Sequence, residues 1–181
     1  MKVFMINTVC GIKSTGRICT DLADVLESKG HSCKIAYGRE GVPPKYQKIA
    51  IQIGNKLSRK ADAVSTRLFD TAGFNSRQAT KKLIKQIRDY APDIIHLHNL
   101  HGCYINVDVL FRFLKIYGKP VVWTLHDCWP FTGHCAHFAV AGCEKWKTGC
   151  YDCPQRKSYP VALLLDQSKR NYLAKKKHIA K

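Results

Sequence analysis

Five short segments of the chain are rich in apolar residues and have the length of β-strands: 2–7, 31–38, 48–53, 92–99 and 119–127. The first, fourth and fifth of these are nearly continuous in apolar residues, which is typical of strands covered on both faces. We therefore expect residues 2–7, 93–98 and 120–125 to be central in a sheet.

Amphipathic segments lie between these strands. Their apolar side chains recur at helical spacing, and four helices are predicted: 17–30, 55–69, 77–91 and 107–118. Gly30 and Gly118 are stop signals for the first and the last of them. A basic helix is expected from about Val161 to the end of the chain.

Strands that alternate with helices predict right-handed βαβ units. The expected fold class is α/β, with a doubly wound, mainly parallel sheet. We expect one domain over residues 1–160, which includes a Cys-rich loop at 128–155, and then the basic C-terminal helix at 161–181.

Composition narrows the class of protein. The 181 residues are 45% hydrophobic, and no apolar run approaches the roughly 18 residues that a membrane span needs. The opening "MKVFMIN" is too short for the apolar region of a signal peptide. We therefore expect a cytoplasmic protein with reduced thiols. The nine cysteines, an odd number, argue against a simple disulfide framework.

The charge of the chain is strongly positive. Thirty Lys and Arg residues against thirteen Asp and Glu residues give a net charge of +17. Such a surface attracts anions, which include nucleotides, nucleic acids and anionic lipid headgroups. A surface that only keeps the protein in solution is the alternative interpretation.

A glycine-containing loop follows the first strand. In doubly wound sheets, ligands bind beyond the carboxyl ends of the strands, and this loop with Gly11 and Gly16 is at such an end. Backbone N–H groups where the next helix begins can hold a phosphate or a hydroxyl-rich ligand. The spacing is not GxGxxG, so a dinucleotide site is poorly supported, and glycines of a tight turn are the alternative.

Polar residues also follow the fourth and fifth strands. Asn99 and His101 lie in the loop after the fourth strand, where they are well placed to face a ligand. His126 ends the fifth strand, and a histidine there can donate to a developing negative charge or hold a hydroxyl. Asp127 is adjacent, but neighbouring strand residues point to opposite faces, so Asp127 need not contact His126.

Two further histidines, His96 and His98, share one face of the fourth strand because strand side chains alternate. With His101 they make a three-histidine metal site conceivable. We favour a packed, hydrogen-bonded role for His96.

The Cys-rich loop contains the spacing C-x7-C-x6-C-x2-C, formed by Cys135, Cys143, Cys150 and Cys153. A C-x2-C pair with two further cysteines can provide four thiolates for tetrahedral zinc. Buried thiols without a ligand are the alternative. His134 is one of the side chains that could replace a cysteine in the set.

Several motifs together resemble a known family. The segments "PDIIHLHNLHGCYIN", "LKIYGKPVVWTLHDCWPFTGHCAHF" and "CEKWKTGCYDCPQRKSYP" resemble the N-terminal domain of retaining family-four glycosyltransferases, especially bacterial enzymes of capsular and exopolysaccharide synthesis. "INTVCGIKSTGRICTDLADVLESKGH" resembles the opening strand, glycine loop and helix of that domain. The resemblance covers essentially the whole chain.

The resemblance implies a Rossmann-like half of a GT-B fold, in which two such halves face a cleft. The first half mainly binds the acceptor, a glycan or lipid-linked molecule, and the second mainly binds the nucleotide-sugar donor. Gly11 to Gly16 would approach the donor phosphates or the acceptor, and His126 would reach the transferring sugar. No protein nucleophile is implied. The chain lacks a D-x-D motif, so no catalytic metal is expected and any zinc would be structural.

Nothing in the sequence resembles the donor-binding second domain of that family. We therefore expect this chain to be half of an enzyme and inactive alone. A peripheral contact with an anionic membrane is expected through "KKLIKQIR" and the basic C-terminal helix.

Two other function classes are weighed against this one. Net charge and the cysteines suit a zinc-stabilised nucleic-acid-binding module, but Trp123, Trp129 and Trp146 lie around the expected cleft and loop rather than on a basic face. We therefore expect no nucleic-acid partner. A hydrolase or metalloenzyme that uses His96, His98 and His126 lacks a nucleophile elbow or an H-E-x-x-H pattern.

Overall fold

The computed structural model describes residues 1–179. Its strands are β1 (Lys2–Asn7), β2 (Ser32–Tyr37), β3 (Ala50–Gln52), β4 (Ile94–Leu97) and β5 (Val121–Trp123). Its α-helices are α1 (Lys13–Ser28), α2 (Lys56–Phe69), α3 (Arg77–Tyr90), α4 (Val107–Tyr117) and α5 (Ser168–Ile179). Of the predicted C-terminal helix, residues 180 and 181 lie outside the described part.

All five strands pair in parallel in the order β3-β2-β1-β4-β5. This is the strand order of a doubly wound, Rossmann-like sheet, in which the order reverses at β1. The predicted α/β fold class is confirmed.

The core lies on both faces of the sheet because the side chains of β1 alternate. Phe4 and Ile6 pack with the α3 and α4 side, which includes Leu83 and Leu110. Val3 and Met5 pack on the opposite side with four residues of α1 and β2: Cys19, Ala23, Cys33 and Ile35. Burial of both faces explains why the apolar run at 2–7 is continuous.

The prediction that 120–125 is a central strand is wrong. Within residues 1–179, β5 pairs only with β4 and is an edge strand, and Val121 and Val122 leave 41% and 49% of their surface exposed. An apolar run indicates strand structure, but it does not fix where the strand lies in the sheet. β5 is also shorter than the predicted 119–127, so His126 lies three residues beyond its end.

Two helix boundaries also differ from the prediction. α1 begins at Lys13 instead of residue 17, so Gly16 lies in its first turn and not in the preceding loop. α5 begins at Ser168 instead of Val161. The chain before it runs extended along the end of α2, where the Leu163 N–H donates to the Arg67 carbonyl (2.7 Å), and Asp166 accepts the Ser168 N–H (2.8 Å) just where α5 starts.

Between β5 and α5, the chain forms a long segment whose only helices are short 3-10 turns at Phe138–Ala141 and Lys145–Lys147. Phe131, Phe138 and Trp146 pack their rings together there, with centroids 5.0–6.2 Å apart. None of the helices in residues 1–179 has the length and apolar character to cross a membrane.

Candidate functional site

Three histidines lie ring against ring at the carboxyl ends of β4 and β5. The ring centroids of His96 and His98 are 4.1 Å apart, and those of His98 and His126 are 5.3 Å apart and nearly parallel. His98 Nδ1 lies 3.0 Å from His126 Nε2, and His96 Nε2 lies 2.9 Å from the Thr124 hydroxyl. The packed role predicted for His96 agrees with this contact.

Burial determines the charge of the stack. Burial, with smaller contributions from the neighbouring His96 and His126, lowers the pKa of His98 to about 3. Burial and His126 also lower the pKa of His96. His98 is therefore neutral near pH 7 and carries one ring proton.

The single proton of His98 is best assigned to Nδ1. His98 Nε2 is buried without a hydrogen-bond partner in residues 1–179, and a buried N–H without a partner is rarer than a buried acceptor without one. His98 Nδ1–H then donates to His126 Nε2, and His126 presents Nδ1–H as a donor. His126 is only partly buried, so this donor can meet a ligand.

A second chain of polar groups runs beside the stack. Asp127 Oδ2 lies 2.6 Å from His101 Nε2, and His101 Nδ1 lies 3.0 Å from the Tyr159 hydroxyl. The other carboxylate oxygen of Asp127 accepts the Trp129 N–H at 2.9 Å. His126 and Asp127, although adjacent, therefore contact different histidines.

The hydrogen-bonded neighbours of Asp127 keep its carboxylate ionised. Burial would raise the pKa of Asp127, but hydrogen bonding and charge from His101, with the Trp129 N–H, outweigh it and lower that pKa. Burial raises the pKa of Tyr159, so its hydroxyl stays protonated. Tyr159 was not predicted from the sequence, because it lies 58 residues from His101 and no spacing pattern links the two.

A cavity of about 280 Å³ lies next to Tyr159. Its charged lining residues are Arg39, just after β2, and Arg67, near the end of α2, and no carboxylate lines it. Neither guanidinium forms an ion pair within the described residues. The remaining wall is largely apolar and includes Ala63, Val64, Ala72, Pro160 and Val161. Both arginines were missed, since lone arginines in a basic chain give no sequence signal.

The predicted glycine loop is folded onto itself. The Gly11 N–H donates to the Gly16 carbonyl at 3.0 Å, so the Gly11 amide is already occupied. A Cβ on Gly16 would lie 3.0 Å from Val9 and 3.2 Å from the Gly11 nitrogen. These glycines therefore permit close packing between the loop and α1, which is the alternative that the sequence left open.

Asn99 lies next to this loop. Its N–H donates to the buried Asn7 side chain at 3.2 Å, and its carbonyl accepts the Tyr104 hydroxyl at 2.5 Å. The Asn7 amide in turn donates to the Val9 carbonyl at 2.8 Å. Asn7, which was not singled out from the sequence, thus ties the end of β1 to the loop after β4.

The four cysteines of the predicted zinc set line one small cavity inside the Cys-rich loop, together with His134 and Trp146. Within residues 1–179, however, no group of three or more His, Cys, Asp and Glu side chains is arranged to hold a metal ion. This applies equally to the three-histidine alternative. His134 Nδ1 lies 2.6 Å from Asp70 in a fully buried pair.

The three tryptophans are packed in the fold. Trp129 is buried, Trp123 packs against Phe111, and Trp146 packs within the loop cluster. Within residues 1–179, the tryptophans therefore do not form the exposed stacking surface that a nucleic-acid-binding module needs.

Comparison with known proteins identifies the family of the chain. The family described as Glycosyltransferase Family 4 matches residues 15–166. The chain is 30% identical over 170 residues to "Putative colanic acid biosynthesis glycosyl transferase WcaC" of Escherichia coli (strain K12). That alignment covers 88% of this chain and 41% of WcaC, so the chain spans well under half the length of that relative.

Among solved structures, the glycosyltransferase VinC in complex with DTDP matches with a TM-score of 0.43 and 17% identity, over 69% of this chain and 34% of VinC. The nucleic-acid-binding alternative has no support from these comparisons. Since the family match extends over most of the chain, the protein belongs to Glycosyltransferase Family 4.

Proposed function

We propose that this chain is the acceptor-side half of a retaining glycosyltransferase of cell-surface polysaccharide synthesis. The complete enzyme transfers a sugar from a nucleotide-sugar donor to a glycan or lipid-linked acceptor. The observation that carries the proposal is the family match together with the polar groups at the carboxyl edge of β4 and β5. WcaC, the relative from colanic acid biosynthesis, supports the polysaccharide context.

His126 is the catalytic residue of this half. Its Nδ1–H, oriented by the contact of Nε2 with neutral His98, is a donor for the transferring sugar or for charge that develops as the nucleotide leaves. A preorganised donor in a water-poor site stabilises such charge more than water does. No step requires a catalytic metal in this scheme.

Asp127, His101 and Tyr159 position the acceptor. The short Asp127–His101 contact fixes the imidazole ring, and the ring in turn holds the Tyr159 hydroxyl at the wall of the cavity. Orientation of reacting groups alone can lower a barrier by roughly 7–11 kcal/mol.

The adjoining cavity suits an acceptor with an anionic group. Arg39 and Arg67 provide two cations with no lining carboxylate to neutralise them, and guanidinium groups bind phosphate oxygens in a bidentate manner. The apolar part of the wall suits the carbon skeleton next to that group. By resemblance to the family, Gly11, Gly16 and Asn99 belong to the side of the domain that faces the donor and acceptor.

A cytoplasmic location, with peripheral contact to anionic lipid, completes the proposal. α3 buries Leu83 and Ile87 and exposes Lys81, Lys82 and Lys85. A helix of this kind contacts lipid headgroups through charge and does not insert. Lipid-linked acceptors are available at such a surface.

The proposal is tested by His126→Ala in a longer chain that includes the donor-binding domain. Loss of one preorganised donor costs about 10²–10³-fold in rate, so transfer should fall by about that factor while the far-UV circular dichroism stays unchanged. His31→Ala is the matched control, because His31 lies before β2 at the opposite edge of the sheet. Wild-type transfer by the folded His126→Ala variant would remove His126 from the mechanism.

A further inference from the structure

The Cys-rich segment has little to hold it in place by ordinary packing. Between Trp123 and Ser168 the only helices are two short 3-10 turns, and segments of this length without regular structure are uncommon in compact domains. Small, loop-rich units are usually stabilised by disulfides or by a metal. All nine cysteines are free thiols in the folded chain.

Four of these thiols share one small cavity. Cys135, Cys143, Cys150 and Cys153 all line it, and aromatic side chains close it. The Cys135 and Cys153 side chains are within hydrogen-bonding reach of each other. The side chains as they stand in residues 1–179 do not form a ligand set, so metal binding requires the four thiols to move closer together.

The amine of Lys175 is buried beside this cavity, and burial lowers its pKa to about 7. Lys175 is 1% exposed, and its ammonium group donates to the Trp129 carbonyl at 2.7 Å and lies 3.9 Å from the Trp129 ring centre. It forms no ion pair with a carboxylate in the described part of the chain. Buried charges are normally paired.

The titratable groups around Lys175 come from several elements. They are Cys135 and Cys150 of the cavity and the carboxylates Asp70 and Asp127. Each of the two carboxylates is already in contact with a histidine, at 2.6 Å. Four thiolates and one divalent cation sum to a net charge of −2, so a metal–thiolate centre would place a negative charge near Lys175 and favour the charged form of its amine.

His134 gives a further sign of an absent partner. It is 2% exposed and lines the same cavity. Its Nδ1 contacts Asp70, but its buried Nε2 has no hydrogen-bond partner within residues 1–179. A buried polar atom without a partner is rare in a folded protein, and this one lies in the wall of the cavity that the four cysteines line.

We propose that Cys135, Cys143, Cys150 and Cys153 bind one Zn²⁺ as four thiolates. Binding converts four thiols to thiolates and releases their four protons, so affinity falls with falling pH. The metal joins parts of the loop that are far apart in sequence and fixes it beside α5, which contributes Lys175.

Zinc binding would also affect the hydrogen-bonded side chains of Asp127, His101 and Tyr159. The loop that holds the cysteines connects Asp127 to Tyr159, and these two residues meet at opposite sides of His101. A metal that fixes the loop therefore sets the geometry of this chain. The metal proposal itself does not depend on the proposed glycosyl transfer, because its test measures metal and thiols.

The test uses the purified chain of 181 residues, stripped of metal by a chelator and titrated with Zn²⁺ under reducing conditions. We expect one zinc per chain, with four thiols protected from a thiol reagent in the zinc-bound form. Cobalt(II) in place of zinc should give the thiolate-to-metal charge-transfer absorption and the visible bands of a tetrahedral site. This measurement uses the wild-type chain.

Variants then identify the ligands. Cys143→Ser and Cys150→Ser should each lose stoichiometric zinc, while Cys128→Ser, in the same loop but outside the cavity, should keep it. Substoichiometric zinc in the wild-type chain, a Cys135–Cys153 disulfide in its place, or absence of the cobalt bands would overturn the proposal. Zinc loss in His134→Gln with zinc retained in Cys143→Ser would overturn the four-thiolate ligand set.

Discussion

His98 is the most deeply buried of the three stacked histidines, and burial determines its protonation. Its neutral ring contacts His126, so the donor that His126 offers to a ligand depends on a residue that need not touch the ligand. The position of the histidines at the ends of apolar runs predicts that they lie at the strand ends. The sequence could not reveal that His98 and His126, 28 residues apart, are hydrogen-bonded, because that contact depends on the register between β4 and β5.

The burial of His98 predicts a pH dependence of stability. The folded protein holds His98 neutral down to a pKa of about 3, whereas in the unfolded chain it titrates near its ordinary value of about 6.5. Between these values the unfolded state binds more protons, so the stabilisation is present above about pH 6.5 and is lost as the pH falls. In this window, each unit of falling pH lowers the free energy of unfolding by about 1.4 kcal/mol for one such group.

Urea unfolding at two pH values, about 7 and about 5, brackets the upper part of this window and measures the effect. We expect the wild-type chain to lose more stability between the two values than His98→Gln, which cannot titrate at this position. The comparison uses the change with pH, so a constant difference in stability between the proteins does not affect it. Equal losses in the two proteins would refute the assignment of a neutral, buried His98.

The elements with clear periodicity and end signals were predicted within a few residues. β1 was predicted at its observed bounds, and α2 and α4 within one residue, because Asn55 caps α2 with its side chain and Gly118 ends α4 in a left-handed conformation. The edge position of β5 and the late start of α5 were missed. Both depend on contacts between distant segments, such as that of Leu163 with Arg67, which local pattern does not encode.

The junction between β2 and the loop after β4 is another contact between distant segments. A Cβ on Gly38 would lie 2.1 Å from Tyr104 Cγ. Tyr104 is fully buried, and its hydroxyl donates to the Asn99 carbonyl. The absence of a side chain at Gly38 therefore lets the end of β2, with Arg39, lie against the loop that carries Asn99.

Gly38→Ala should destabilise the fold by about 1–3 kcal/mol, the usual cost of overpacking a buried site. Gly41→Ala is the matched control, since a Cβ there would meet nothing within 4 Å. Thermal or urea unfolding of the two variants provides the comparison. Equal stability of both variants would contradict the close packing of Tyr104 on β2.

At the scale of the whole molecule, the chain combines a Rossmann-like fold, a net charge of +17 and a polar site at the carboxyl edge of the sheet. It spans 41% of the length of WcaC. In the proposed enzyme, this domain contributes the acceptor cavity, the donor group of His126 and the positioning side chains Asp127, His101 and Tyr159. Donor binding depends on a second domain. Catalysis by positioning needs both substrates in near-attack geometry.

A transfer assay tests the half-enzyme proposal most directly. Purified residues 1–181 and a longer chain that continues through the donor-binding domain would each receive several nucleotide-sugars together with lipid-linked acceptors. We expect sugar transfer by the longer chain only, and weak binding of nucleotide-sugar without turnover by residues 1–181. Robust turnover by residues 1–181 alone would contradict the half-enzyme proposal, and absence of transfer by the folded longer chain with every donor and acceptor would contradict the proposed function.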